Sequence, residues 1–106
     1  MNETEYRQLV DDLMERVEYQ IDDSGVDVDY ENTGGLLTIT VESNASQIIL
    51  SRQAATREVW LADRSGGFHF IWQRDAWRDT QSGDLLSDML SRAFLAQADE
   101  SVVFSL

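Results

Sequence analysis

The chain contains no cysteine, no proline and no lysine among its 106 residues. Without cysteine there is no disulfide framework, no thiol nucleophile and no cysteine ligand for zinc or for an iron–sulfur cluster. Without lysine, Schiff-base catalysis is excluded. The first residues lack the basic start and the apolar run of a secretion signal, and no window is long and apolar enough to span a bilayer. These absences predict a soluble, cytoplasmic protein.

Histidine is nearly absent too, because His69 is the only one. A single histidine does not form a zinc site alone, and nothing in the sequence fixes it in a catalytic triad. The glycine pairs Gly34-Gly35 and Gly66-Gly67 mark turns and do not match a phosphate-binding loop. We therefore expect no enzymatic activity.

Acidic residues, in contrast, are abundant and concentrated. Eleven of the 20 carboxylates lie within the first 31 residues, beside only two arginines, so this segment carries −9 of the formal net charge of −12. Such a segment attracts cations or a basic protein surface and repels nucleic acid and anionic membranes. Nucleic acid and membranes are accordingly not expected as partners.

The first element is predicted to be a helix over residues 3–22. Its apolar residues recur at i, i+3, i+4 and i+7 and form one broad stripe. On the nearly opposite side, four carboxylates fall within about 60° of one another at 100° per residue; they are Asp11, Glu15, Glu18 and Asp22.

The next segment alternates strictly. Val26, Val28 and Tyr30 would face one side of a strand, while Asp27, Asp29 and Glu31 would face the other. We expect the helical and the strand carboxylates, together with Asp23, to build one continuous negative ridge.

Further short apolar segments separated by turns predict strands at residues 36–41, 47–51, 58–62, 68–73 and 77–79. A second helix should follow Asp84, a plausible N-cap, with Phe94 at the edge of its inner stripe. Apolar residues 102–104 should pack against the helices. The order of elements predicts one α+β domain over residues 1–106: two helices on one face of a five- to six-stranded antiparallel sheet.

Five pieces of the sequence, in this order, together resemble the bacterial frataxins (CyaY). They are GGLLTIT at residues 34–40, IILSRQ at 48–53, EVWLA at 58–62, GGFHF at 66–70 and the later Trp77. The acidic helix and strand also lie where that family has them. The chain departs from the usual family pattern at Ser51, where asparagine is common, and at Ala55, where proline is common.

The resemblance implies a two-layer α/β sandwich that binds ferrous and ferric iron weakly along its acidic ridge. It implies a role in iron–sulfur cluster assembly, as an iron chaperone or as a regulator that docks on the complex of the cysteine desulfurase and its scaffold protein. By position, the ridge residues would be Glu15, Glu18, Asp22, Asp23, Asp27, Asp29 and Glu31. Gln53 and Trp60 would lie on the sheet surface and contact partners, together with Glu18, Asp22 and Asp23.

The spacing of the ridge carboxylates limits what they can bind. Neighbouring positions on a helix, or alternate positions on a strand, do not close a cage of six or seven oxygens. We expect shallow sites of two or three carboxylates plus water, in which iron competes with other hard cations. Asp11 belongs to this set by its place on the helix. Mutual repulsion should destabilise the fold until cations relieve it.

Two other functions fit the acidic composition less well. An acidic decoy that occupies a nucleic-acid-binding groove should spread its charge over the whole molecule, whereas here it is concentrated in the first third. A ferroxidase needs a closed di-iron site with Glu-x-x-His pairs, and the chain has no such pair.

Trp60 is a second candidate contact residue, because alternation in Val59-Trp60-Leu61 places it opposite its two neighbours. If Val59 and Leu61 face the helices, Trp60 lies on the bare face of the sheet, where tryptophan commonly anchors a protein partner. The alternative is that Ile71 or Trp72 covers it and that it only packs.

Overall fold

A computed structural model describes all residues from Met1 to Leu106. The elements in chain order are α1 (Glu3–Ser24), β1 (Val28–Thr33), β2 (Leu36–Val41), β3 (Gln47–Gln53), a 3₁₀ turn (Ala54–Thr56), β4 (Glu58–Asp63), β5 (Gly66–Gln73), β6 (Ala76–Asp79) and α2 (Leu86–Ala98). All six strands form one antiparallel sheet in the order β1-β2-β3-β4-β5-β6. The predicted fold class is confirmed.

Helix α1 begins with a capping box, in which the side chain of Asn2 accepts from the Glu5 N–H and the Glu5 carboxylate accepts from the Asn2 N–H. Such caps satisfy N–H groups that lack a partner inside the helix. The helix ends at Gly25, whose φ of 71° is left-handed. Its predicted apolar stripe is buried. The Ser24 hydroxyl accepts from the Val26 N–H, and β1 begins at Val28.

The sheet buries one face beneath both helices. Alternate residues on the central strands, among them Leu37, Ile39, Leu50, Val59 and Leu61, have no solvent exposure and join the apolar stripe of α1 in one core of 21 residues. This alternation is the period of two that a half-buried sheet requires. The opposite face of the sheet carries no helix and is called the open face below.

Helix α2 differs from the prediction at its start and at one core position. Its N-cap is Leu85, not Asp84, and no side chain caps the helix. The backbone carbonyl of Asp84 accepts from the Asp79 N–H and its carboxylate pairs with Arg92, which holds it outside the helix. Phe94 is fully buried, not at an edge, because its ring packs against Phe104 with centroids 4.9 Å apart.

The C-terminal segment packs on the core as expected. Val102 and Phe104 are buried, and the backbone of Ser105 exchanges two hydrogen bonds with the side chain of Gln20 on α1. No helix in the structure has the length and apolar character needed to cross a membrane.

Candidate functional site

Four of the eight carboxylates of α1 lie beside the β1–β2 hairpin and are called the helix row; they are Asp11, Glu15, Glu18 and Asp22. Glu18 accepts a 3.2 Å hydrogen bond from the Asn32 side chain, and Asp22 accepts a 2.8 Å bond from the Tyr30 hydroxyl. Both donors come from β1. Glu15, Glu18 and Asp11 also border a shallow cavity of about 270 Å³. The helix row therefore runs along the gap between α1 and the edge of the sheet.

The carboxylates Asp27, Asp29 and Glu31, called the strand row, point to the other side of the sheet. All three are exposed, whereas the alternating residues Val28 and Tyr30 face α1. Asp27 itself precedes the first residue of β1. The expectation of one continuous ridge is wrong in this respect, because period two sends the strand row to the open face. The two rows flank the same sheet edge, and we call them, together with the neighbouring Asp23, the acidic edge.

Asp23 is exposed near the end of α1 beside the helix row. Among the eight predicted cation-binding residues, only Asp11 has an arginine partner within ion-pair distance. That partner is Arg52 on β3, which also packs so closely on Gly35 that a Cβ added there would lie 2.9 Å from its Nε. The guanidinium of Arg52 thus lies at one end of the helix row. The sequence pattern did not predict this contact. One feature of the sequence indicates it: along β3, Arg52 follows the same alternation as the buried residues Ile48 and Leu50, so it lies on the helix side of the sheet.

No three side chains of His, Cys, Asp or Glu come together in a group that could hold a metal ion. Sites of three carboxylates are therefore not preformed. Of the two kinds of cation site expected from the sequence, the one that fits this geometry is a pair of carboxylates completed by water. Hard oxygen donors of this kind fit iron and its hard competitors in chemical type. The bond to Asp22 raises the pKa of the Tyr30 phenol, because ionised Tyr30 would lose that bond and repel the carboxylate.

Trp60 lies on the open face, as the alternation predicted, since Val59 and Leu61 are completely buried beneath the helices. It is half-buried. Its cross-strand partner His69 stacks on the indole with ring centroids 4.2 Å apart and planes 7° apart. Trp72 lies on the helix side against Trp77.

Gln53 lies two residues beyond Ser51, which is the strand partner of Trp60. The Gln53 side chain donates a 3.2 Å hydrogen bond to the Ser51 hydroxyl, so these residues form one polar row on the open face next to Trp60. The Gln53 backbone N–H donates to the buried hydroxyl of Tyr6. The Ser51 hydroxyl thus supports the side chain of Gln53.

The chain as a whole is similar to known proteins. Residues 1–100 match the model of the frataxin-like domain. The chain is 48% identical to an iron–sulfur cluster assembly protein CyaY from Pseudomonas aeruginosa, over 98% of this chain and 97% of that protein. It is 40% identical to a protein of the same name from Colwellia psychrerythraea, over 99% and 98% of the two chains.

Solved structures agree with these sequence matches. A frataxin from Psychromonas ingrahamii superposes with a TM-score of 0.93 at 40% identity, over 100% of both chains. A trimeric yeast frataxin complexed with ferrous iron has the same fold, with a TM-score of 0.69 at 20% identity over 94% of this chain and 88% of its own. From its sequence match and its fold, the chain belongs to the frataxin-like family.

Proposed function

We propose that this protein binds iron weakly at its acidic edge and acts in iron–sulfur cluster assembly, as a regulator or iron chaperone that docks on the cysteine desulfurase and its scaffold protein. Family membership and the name of the bacterial relatives support the pathway. The single observation that carries the proposal is the pair of carboxylate rows flanking β1, which Arg52 alone opposes by an ion pair.

Iron is the cargo in this proposal and not a resident cofactor. The carboxylates that would hold it are Asp11, Glu15, Glu18, Asp22, Asp23, Asp27, Asp29 and Glu31. Pairs of these oxygens, completed by water, give weak and rapidly exchanging sites for Fe²⁺ or Fe³⁺. Weak binding with rapid exchange suits delivery or sensing of iron better than storage. Other hard cations should compete for the same oxygens.

Docking would use both surfaces. The acidic edge, with Glu18, Asp22 and Asp23, would meet an Arg-rich or Lys-rich surface of the desulfurase, where electrostatic attraction raises the association rate. Gln53 and Trp60 on the open face would contact the scaffold. Iron and the desulfurase would then compete for one surface. The proposed form is a cytoplasmic monomer in the absence of iron, with no nucleic-acid or membrane partner and no catalytic residue of its own.

A titration with Fe²⁺ under anaerobic conditions, followed by nuclear magnetic resonance, tests the iron site directly. The amide signals of residues in the two rows should broaden first. The amide signals around Asp88 and Glu100, two exposed acids from the C-terminal part of the chain, should not broaden. Uniform broadening, or none at stoichiometric iron, would contradict the proposed site. Desulfurase added to the iron-loaded protein should displace the iron if iron and enzyme share the surface.

A further inference from the structure

The indole of Trp60 is fixed in place by two neighbours from the open face. Its Nε1–H donates a 2.8 Å hydrogen bond to the Glu58 carboxylate, and its ring lies flat against His69. A half-buried tryptophan on a sheet surface could otherwise choose among several rotamers. Here the edge of the ring is held by a hydrogen bond and one of its faces by a stacked ring.

Glu58 is itself held firmly. Its side chain is only 18% exposed, and the carboxylate oxygen Oε1 that accepts from Trp60 also accepts a 3.2 Å bond from Thr56 and lies 3.7 Å from His69 Nδ1. The backbone carbonyl of Glu58 accepts a 2.6 Å hydrogen bond from the buried hydroxyl of Tyr6 on α1. The chain of contacts that ends at Trp60 therefore begins in the core.

We propose that Glu58 and His69 are positioning residues that hold the Trp60 indole in one orientation, as a rigid contact element of the open face. This inference rests on the proposed docking function, because it assigns Trp60 to a protein partner. The physical reason is preorganisation: a side chain that is already immobile loses little conformational entropy when a partner covers it. Neither Glu58 nor His69 needs to touch the partner for this effect.

The order of the indole can be measured in the free protein. The chain has three tryptophans and therefore three indole N–H signals, and the signal of Trp60 is identified by its loss in Trp60→Phe. In the wild type, its ¹⁵N order parameter should approach about 0.85, the value of a rigid backbone, and in Glu58→Ala or His69→Ala it should fall below about 0.6. An unchanged order parameter in either alanine variant would overturn the proposal.

Conservative variants separate positioning from a general effect on folding or charge. Glu58→Gln keeps a carbonyl acceptor for the indole N–H, and His69→Phe keeps a flat ring at the stacking position. Both should restore the order parameter of Trp60. If Glu58→Gln fails like Glu58→Ala, the indole is held by the charge of the carboxylate, and positioning by a hydrogen-bond acceptor alone is wrong.

Binding of these variants to the purified scaffold protein then shows whether the fixed orientation of the Trp60 indole contributes to docking. Glu58→Ala and His69→Ala should weaken binding about two- to tenfold, the expected effect of immobilising one side chain on association, and the two conservative variants should restore it. Unchanged binding by both alanine variants, while Trp60→Ala does weaken binding, would overturn the positioning role and leave the docking function intact. Unchanged binding by Trp60→Ala would instead contradict scaffold docking through Trp60.

Discussion

The hydroxyl of Tyr30 on β1 donates a 2.8 Å hydrogen bond to the carboxylate of Asp22 near the end of α1. This bond joins the edge strand to the helix on the side of the strand that faces the helix row. Tyr30 and Asp22 share that side, so Asp29 and Glu31 must project from the other. The acidic edge therefore has two rows, one on either side of a single strand.

Cations should stabilise the fold, because they relieve the repulsion within each row. At a tenfold excess of MnCl₂ over its dissociation constant, binding contributes about 1.4 kcal/mol, which should raise the melting temperature by about 4–8 °C. Thermal unfolding followed by circular dichroism measures this shift. NaCl at matched ionic strength should raise the melting temperature less, and Glu15→Gln with Glu18→Gln should reduce the Mn²⁺ effect. An unchanged midpoint in Mn²⁺ would count against a cation site.

Arg52 should compete with added cations for the helix row, because its guanidinium already contacts Asp11. Arg52→Gln should tighten Mn²⁺ binding by up to about fivefold, the equivalent of one exposed ion pair of about 1 kcal/mol. Isothermal titration calorimetry measures the affinity. Arg92→Gln is the matched control, since Arg92 pairs with Asp84 away from the acidic edge. Equal effects of the two variants would mean that only net charge matters.

Periodicity was sufficient to predict the elements that build the site. The stripe of α1 and the alternation of β1 to β5 are local patterns, and both are repeated over enough residues to be unambiguous. The contacts of Arg52 and His69 were not predictable in this way. They depend on strand register and on where α1 crosses the sheet, which are set by turn geometry and by packing between residues distant in sequence.

Gly35 should tolerate alanine less well than its neighbour Gly34. Both have positive φ, which costs an alanine about 1–2 kcal/mol. An added Cβ at Gly35 would also lie 3.1 Å from the Arg52 Cβ, whereas Gly34 has nothing within 4 Å. Gly35→Ala should therefore cost about 1–3 kcal/mol more than Gly34→Ala. Urea unfolding compares the two, and equal losses would contradict the close packing of Arg52.

Ionisation of Tyr6 should lower the free energy of unfolding at alkaline pH. Burial raises its pKa above 10.0, so the unfolded chain ionises first as the pH rises. The contribution of Tyr6 is thus fully present below about pH 10 and is lost as the pH rises through the folded pKa. Tyr6→Phe should make the loss of stability above pH 10 less steep.

At neutral pH the same Tyr6→Phe change should cost about 1–3 kcal/mol, because the Gln53 N–H and the Glu58 carbonyl lose their partner. Urea unfolding of the wild type and of Tyr6→Phe, at neutral pH and above pH 10, gives the difference in the free energy of unfolding at each pH. Tyr19→Phe, at a side chain that is 69% exposed, is the control at neutral pH and should change stability by less than about 0.5 kcal/mol. A Tyr6→Phe protein as stable as the wild type at neutral pH would show that these bonds contribute nothing.

The start of α2 shows why caps are harder to predict than elements. Asp84 has the residue type and position of an N-cap. The buried carboxylate of Asp79 accepts from the N–H groups of Gln81 and Ser82, and the Asp79 N–H donates to the Asp84 carbonyl. These bonds close the preceding loop on itself and keep the Asp84 side chain away from the helix. Nothing in the local sequence distinguishes this arrangement from a capped helix.

Docking of the acidic edge on the cysteine desulfurase, as proposed above, can be tested by measuring how tightly that enzyme binds charge-reversed variants. Replacing Glu18, Asp22 and Asp29 by lysine should weaken binding about ten- to a hundredfold at low salt. The difference should shrink as salt rises toward about 0.2 M. The control, with Asp75, Asp88 and Glu100 replaced by lysine, makes the same change in net charge at exposed positions outside the acidic edge and should bind nearly as wild type. Equal binding by the two triple variants would show that the desulfurase does not dock on the acidic edge.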